Sequence, residues 1–189
     1  TENGGTVSTK VRLKSAPLSP VTITLNSSDT QEGTVSPTVL TFNKDNWDSY
    51  VSIIVTGVDD DIADGSQSYE IQIASVVSED SKYSALNGQI DPIKLQNEDD
   101  EIKAIVLGSL SGDTTEAGGN ATFSVKLASK PIEAVSIPII STDTSEGSVS
   151  VSSLSFDNSN YNTVQTVTVN GEDDDERDGN IAYQVKIGP

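Results

Sequence analysis

The sequence has no cysteine and no histidine. The first absence excludes disulfides and thiolate chemistry. The second removes the commonest general base and zinc ligand. Basic residues are scarce: 11 Lys and Arg stand against 29 Asp and Glu, for a net charge of −18. The excess is spread along the chain, −6 over residues 1–75, −5 over 76–114 and −7 over 115–189. Such a field repels nucleic acid throughout and disfavours an anionic membrane surface. No segment approaches the roughly 20 apolar residues of a membrane span, and no signal-peptide pattern is present. Neither nucleic-acid binding nor direct membrane insertion is expected. Apolar residues make up 34%, enough for two small sandwich cores but not for one large α/β core. Methionine is also absent and the sequence starts at Thr1, so it reads as a piece of a longer polypeptide. A cysteine-free, acidic, Ser- and Thr-rich repeat suits a bacterial extracellular or cell-surface protein.

What is present is one stretch written twice. Residues 1–75 align with 115–189 at a constant offset of 114 without insertion or deletion, and 29 of the 75 pairs are identical. A period of this length exceeds the roughly 20–50 residues of a solenoid repeat and matches a whole domain. The identities fall on turn Gly and Pro, on alternate apolar positions, and on acids. The acids recur as Glu2/Glu116, Asp29/Asp143, Asp59-Asp60-Asp61/Asp173-Asp174-Asp175 and Asp64/Asp178.

The periodicity is that of strands. Val21, Ile23 and Leu25 alternate with Thr, and Val135, Ile137 and Ile139 repeat the pattern. Ile53 and Val55 recur as Val167 and Val169; Tyr69, Ile71 and Ile73 recur as Tyr183, Val185 and Ile187. The inward set is kept while the outward set drifts, as for strands with one face in a core. Turn signals such as Gly4-Gly5, Glu32-Gly33, Asp64-Gly65 and Asn87-Gly88 separate the runs. Short strands at this spacing predict an all-β chain of two tandem immunoglobulin-like antiparallel β-sandwiches, over residues 1–101 and 102–189. Pro138 predicts an edge or a bulge in its strand. The first unit is expected to close with a strand over Gln89–Gln96, and the second to open with the run Ile102–Leu107. Neither has a counterpart in the other copy, so each unit is short by about one strand and exposes an unpaired edge.

The acids sit where strands end, and in a sandwich the loops at one end cluster. Asp59–Asp61 follow Gly57, Asp64 lies beside Gly65, Asp99-Asp100 follow the closing strand, Asp29 follows Leu25, and Glu2 precedes the Gly-Gly turn. If these ends share one pole, the carboxylates there repel one another unless protons, Lys/Arg or a cation intervene. Oxygen ligands without His or Cys select Ca²⁺, with Mg²⁺ disfavoured by its stricter octahedral geometry. The competing reading is an unliganded, solubilising acidic surface. Glu32 and Glu146 precede a turn glycine and read equally well as turn residues.

These residues resemble the Calx-β domain family. The layout Val55-Thr56-Gly57-Val58-Asp59-Asp60-Asp61-Ile62-Ala63-Asp64-Gly65, then Tyr69-Glu70-Ile71, then Asn97-Glu98-Asp99-Asp100, follows that family's motif order. Glu116-Ala117-Gly118-Gly119-Asn120-Ala121-Thr122-Phe123-Ser124-Val125 resembles its entry motif. The resemblance implies a seven-stranded immunoglobulin-like sandwich binding Ca²⁺ at one pole. Such domains occur in sodium–calcium exchangers and, as tandem copies, in large bacterial surface proteins and adhesins. Carried over residue by residue, it implies ligands at Glu2, Asp29, Asp59, Asp60, Asp64, Asp99 and Asp100 in the first unit. In the second it implies Glu116, Asp143, Asp173, Asp174 and Asp178. Exchanger-type domains continue acidic after this loop, whereas Gly65-Ser66-Gln67 and Gly179-Asn180-Ile181 follow here, which implies fewer ions or weaker binding.

The implied function is a calcium-binding structural repeat of an extracellular surface protein or adhesin, its partners being neighbouring repeats of the same polypeptide. With Glu101 alone between Asp100 and the run at Ile102, the joint is expected to be stiff with calcium and hinged without it. Two alternatives compete: a calcium-sensing regulatory domain, and a module binding a cell-surface glycan or protein. The motive for the second is Trp47 and Tyr161, which share a repeat position and could stack on a sugar or pack on the sandwich edge. Catalysis is not expected, because the acids are duplicated at strand-end loops rather than assembled into one asymmetric site.

Overall fold

The computed structural model describes residues 1–173 and 179–188. The chain divides into two compact units. The first comprises Thr1–Asp60 and Asp64–Asp100; the second comprises Asp61–Ala63 and the chain from Glu101 onward. Both are antiparallel β-sandwiches, and no helix among the described residues is long and apolar enough to cross a membrane.

In the first unit, β1 (Thr6–Val11), β5 (Val51–Gly57) and β3 (Gly33–Ser36) form one sheet in the order β1-β5-β3. The second sheet has the order β4-β2-β6-β7, from β4 (Val39–Phe42), β2 (Val21–Ser27), β6 (Gln67–Val77) and β7 (Ile93–Asn97). The alternation read from the sequence is what buries the core. Val21, Ile23 and Leu25 of β2, Leu40 and Phe42 of β4, Ile53 and Val55 of β5, and Tyr69 and Ile71 of β6 form one cluster drawn from both sheets. Trp47 packs against it, half-buried, and Leu13 donates its N–H to the Trp47 carbonyl at 2.9 Å.

The second unit repeats this plan. One sheet, ordered β11-β13-β9-β8, contains β8 (Ile105–Leu107), β9 (Asn120–Leu127), β11 (Gly147–Val149) and β13 (Gln165–Gly171). The other, ordered β12-β10-β14, contains β10 (Val135–Ser141), β12 (Ser153–Phe156) and β14 (Val185–Ile187). Its core holds Phe123, Val125, Ile137, Ile139, Phe156 and Val167, with Tyr161 packed against it in the place of Trp47. At the 114-residue offset β1–β6 correspond to β9–β14. Among the described residues β7 has no counterpart in the second unit and β8 none in the first. Consistent with an open edge, Val7 of β1 is 51% exposed, whereas its repeat partner Ala121, on the strand that β8 pairs with, is 2% exposed.

Four local expectations are corrected. The closing strand is Ile93–Asn97 rather than Gln89–Gln96, because Pro92 has no N–H to give a ladder and the chain enters the sheet only after it. A single helical turn, α1 (Ser81–Ser84), precedes it, capped by the Asp80 side chain accepting from the Lys82 N–H. The opening strand is limited to Ile105–Leu107, so residues 98–104 lie outside strands and the joining segment is longer than one residue. Of the edge or bulge expected at Pro138, the edge is corrected and an irregularity is found: β10 is an interior strand whose pairing with β12 ends at Pro138 and whose pairing with β14 begins at Ile139. The missing proline donor falls where the ladder changes partner, and the repeat-equivalent site between Thr24 and Leu25 is where the β2–β6 register shifts.

Candidate metal centre

The first unit gathers acids at the pole where β5 and β7 end. Glycine makes the approach possible. A Cβ on Gly57 would collide with the Thr1 carbonyl and come within 2.5 Å of Asn97 Oδ1. Without one, the N-terminal turn closes onto β5: the Gly57 N–H donates to the Gly5 carbonyl at 2.9 Å and the Glu2 N–H to the Glu98 carbonyl at 3.0 Å. Glu2 is thereby only 1% exposed, a depth at which a carboxylate needs compensation.

Two overlapping groups of acids follow. Carboxylate oxygens of Glu2, Asp99 and Glu101 lie within 4.8 Å of one another, as do those of Asp59, Asp100 and Glu101. The Asp99 carboxylate also accepts from the Gly65 N–H, which ties the loop after β5 to the segment after β7. Asn97, likewise 1% exposed, is held by its amide, which donates to the Val58 carbonyl at 2.9 Å and more weakly to Glu32 Oε2 at 3.4 Å. These donations fix which way the amide points. They leave Asn97 Oδ1 buried with no hydrogen-bond partner, a rare condition for a buried carbonyl oxygen. An oxygen-only donor set with one orphaned carbonyl oxygen fits a hard divalent cation.

Glu32 lies against this pole. Burial raises its pKa above the usual carboxylate value; the Asn97 hydrogen bond opposes the rise, and the charges of Asp64, Asp29 and Asp60 add to it. These three acids thus reach the pole through the field at Glu32 but do not join either close group. The Asp29 side chain caps its own loop, accepting from the Gln31 N–H at 2.9 Å.

Of the seven residues implied in the first unit, Glu2, Asp59, Asp99 and Asp100 fall in the close groups. Glu101 joins them without having been singled out as a ligand; Asn97 and Glu32, bonded to each other at 3.4 Å, belong to neither group. Identity of Glu32 and Glu146 between the copies is a signal that could have raised Glu32. Asn97 and Glu101 lie beyond the duplicated stretch, so the internal comparison is silent on them.

The second unit keeps the scaffold but not the closure. The Gly171 N–H donates to the Gly119 carbonyl at 3.2 Å, and the Glu172 N–H to the Glu146 carbonyl at 3.1 Å, repeating the bonds of Gly57 and Val58. Glu116, the partner of buried Glu2, is exposed, since no closing segment lies over its turn among the described residues. Asp143 accepts from the Ser145 hydroxyl at 2.5 Å and its N–H at 3.1 Å, and these bonds hold its pKa below the ordinary value. Asp173 is exposed. Asp174 and Asp178 lie outside the described residues.

No family model matches the chain, and no curated protein matches it. Among solved structures it is similar to one described as "Crystal structure of CBD12 from CALX1.2", with a TM-score of 0.40 and 12% identity, covering 99% of this chain and 75% of that one.

Proposed function

We propose that the chain is a calcium-binding structural module of the Calx-β kind: two sandwiches in series within a large extracellular surface protein or adhesin. The observation that carries this reading is at the first unit's pole, where Glu2, 1% exposed, shares a 4.8 Å neighbourhood with Asp99 and Glu101. The orphaned Oδ1 of Asn97 at the same strand end supports it. Glu2, Asp59, Asp99, Asp100 and Glu101 would hold the ion, with Asn97 Oδ1 as a neutral donor. Bound calcium would supply positive charge that lets the carboxylates pack together. Because the acids come from the N-terminus, the loop after β5 and the segment leaving β7, it would cross-link three stretches of chain. A module that binds such an ion in an extracellular calcium concentration would be stiff there and looser without it, which suits a spacer between neighbouring repeats. The reading assigns the acids to structure and not to catalysis.

The test is calorimetric titration of the fully chelated protein with calcium and, separately, magnesium. The reading expects saturable calcium binding, weaker magnesium binding, and loss of a first-unit site in Asp99→Asn. Absence of calcium binding at millimolar concentration would remove the metal claim. For the stiffening role, spin-label pairs placed in the two units should show a narrower distance distribution in calcium than in chelator; equal widths would refute it.

A further inference from the structure

Asn-Gly occurs three times in the chain, as Asn3-Gly4, Asn87-Gly88 and Asn170-Gly171. The pair is chemically distinctive. With no Cβ beside it, the glycine nitrogen can swing onto the side-chain carbonyl of the preceding asparagine and close a cyclic imide. Whether it does so depends on what holds the two groups, and the fold holds the three pairs differently.

Asn170-Gly171 ends β13, which is paired on both sides. Asn170 lies opposite Asn120 and Ser148, and Gly171 opposite Gly147. The Gly171 N–H is committed to the Gly119 carbonyl at 3.2 Å. The imide can form there only after the ladder opens locally. In the N-terminal turn the Gly4 N–H donates to the Glu2 carbonyl. Asn87-Gly88 differs from both. It lies in the exposed turn after α1, and among the described residues no acceptor takes the Gly88 N–H. Gly88 has a φ of 72°, and a Cβ added there would meet nothing within 4 Å, so the nitrogen is uncrowded.

The electrophile is prepared as well. Asn87 Oδ1 accepts the Val76 N–H at 2.9 Å. Attack on the side-chain carbonyl puts negative charge on that oxygen, and a donor already aimed at it stabilises the charge where it develops. Asn3 and Asn170 have no such donor among the described residues.

We infer that Asn87-Gly88 is a self-modifying site, where the chain deamidates in water without an enzyme. The Gly88 nitrogen gives its proton to hydroxide and bonds to Asn87 Cγ. The resulting tetrahedral centre expels the side-chain nitrogen as ammonia, which takes its proton from water and regenerates the hydroxide. The product is a succinimide. Water then opens either imide carbonyl, giving aspartate or isoaspartate at position 87. Either product adds a negative charge to the turn. Isoaspartate also lengthens the main chain there by a methylene and draws the carboxylate away from the Val76 N–H. The inference goes beyond the calcium reading and does not depend on it, since this turn carries none of the proposed ligands.

The test incubates the full chain at mildly alkaline pH in heavy-oxygen water and maps it by peptide mass spectrometry. One heavy oxygen should enter at position 87, as a mixture of aspartate and isoaspartate. The rate there should exceed that at Asn3 or Asn170 at least about tenfold, a difference of about 1.4 kcal/mol or more in barrier height. In concentrated guanidinium, which removes the fold, the three rates should converge. Asn87→Gln, which would need a larger ring, should silence position 87 and leave the other two pairs unchanged. Circular dichroism checks that the variant folds. No conversion at position 87, aspartate without isoaspartate, Asn3 or Asn170 reacting as fast in the folded chain, or the same ranking in guanidinium would overturn the inference.

Discussion

Replacing Glu2 by Gln should move stability in opposite directions with and without calcium. The oxygens of Glu2, Asp99 and Glu101 lie within 4.8 Å of one another. At an effective dielectric of about 20, a like-charged pair at that separation repels by roughly 3.5 kcal/mol. Neutralising Glu2 removes two such repulsions. Asp99 and Glu101 are only half-buried, so water and counter-ions screen much of that sum. The metal-free protein should gain roughly 1–3 kcal/mol, or at least about 4 °C in melting temperature for a domain of this size. With calcium at 100-fold over its Kd, the parent should gain about 2.7 kcal/mol by mass action. A tenfold loss of affinity in the variant would take away about 1.4 kcal/mol of that gain. The assay is differential scanning calorimetry of both proteins in excess chelator and in excess calcium. The variant should melt higher than the parent in chelator and show a smaller calcium shift. A lower melting temperature in chelator, or a calcium shift as large as the parent's, would refute the reasoning.

Three further outcomes follow from the same geometry. Glu32, whose pKa is raised in the fold, makes the metal-free protein lose stability as pH rises through that value; Glu32→Gln should therefore stabilise it at pH 7, with the gain fading below about pH 4.5 in a melting series. Asp80 has the opposite sign, since hydrogen bonds from the Leu18 and Lys82 N–H groups lower its pKa: its contribution is present above about pH 3.8 and lost as pH falls through the lowered value, so Asp80→Ala should destabilise at pH 7 and make little difference in strong acid. Gly33→Ala should cost about 1–3 kcal/mol, because the added methyl meets the buried Tyr69 ring, while Gly147→Ala should cost less, because Tyr183 is only half-buried and can yield; urea unfolding measures both.

The duplication carried most of the fold. Alternation at Val21, Ile23 and Leu25, repeated at Val135, Ile137 and Ile139, marked strands whose inward faces are the two cores. What it could not mark were ends and partners. Pro92 delays the closing strand, a local steric effect that apolar counting overlooks. Pro138 read as an edge or a bulge; its strand is interior, and the irregularity there is the ladder's change of partner.

The candidate site was legible as a set of loops but not as contacts. Carboxylates at strand ends pointed to one pole, and Glu2, Asp59, Asp99 and Asp100 meet there. Asp29, Asp60 and Asp64 sit on the same loops but outside the close groups, a matter of tertiary placement that strand-end position in the sequence does not encode. Asn97 became a candidate only through its burial and its orphaned oxygen, both products of tertiary packing around Gly57. The contrast between buried Glu2 and exposed Glu116 is likewise a consequence of β7 and its acidic tail, which pair with residues far away in sequence.

The most direct test of the central claim is anomalous diffraction from crystals of the full chain grown in millimolar calcium. The account predicts an anomalous peak at the first unit's pole, with carboxylate oxygens from Glu2, Asp99 and Glu101 and Oδ1 of Asn97 at about 2.3–2.6 Å from it. Well-ordered density for those four side chains, with no peak among them in saturating calcium, would contradict it.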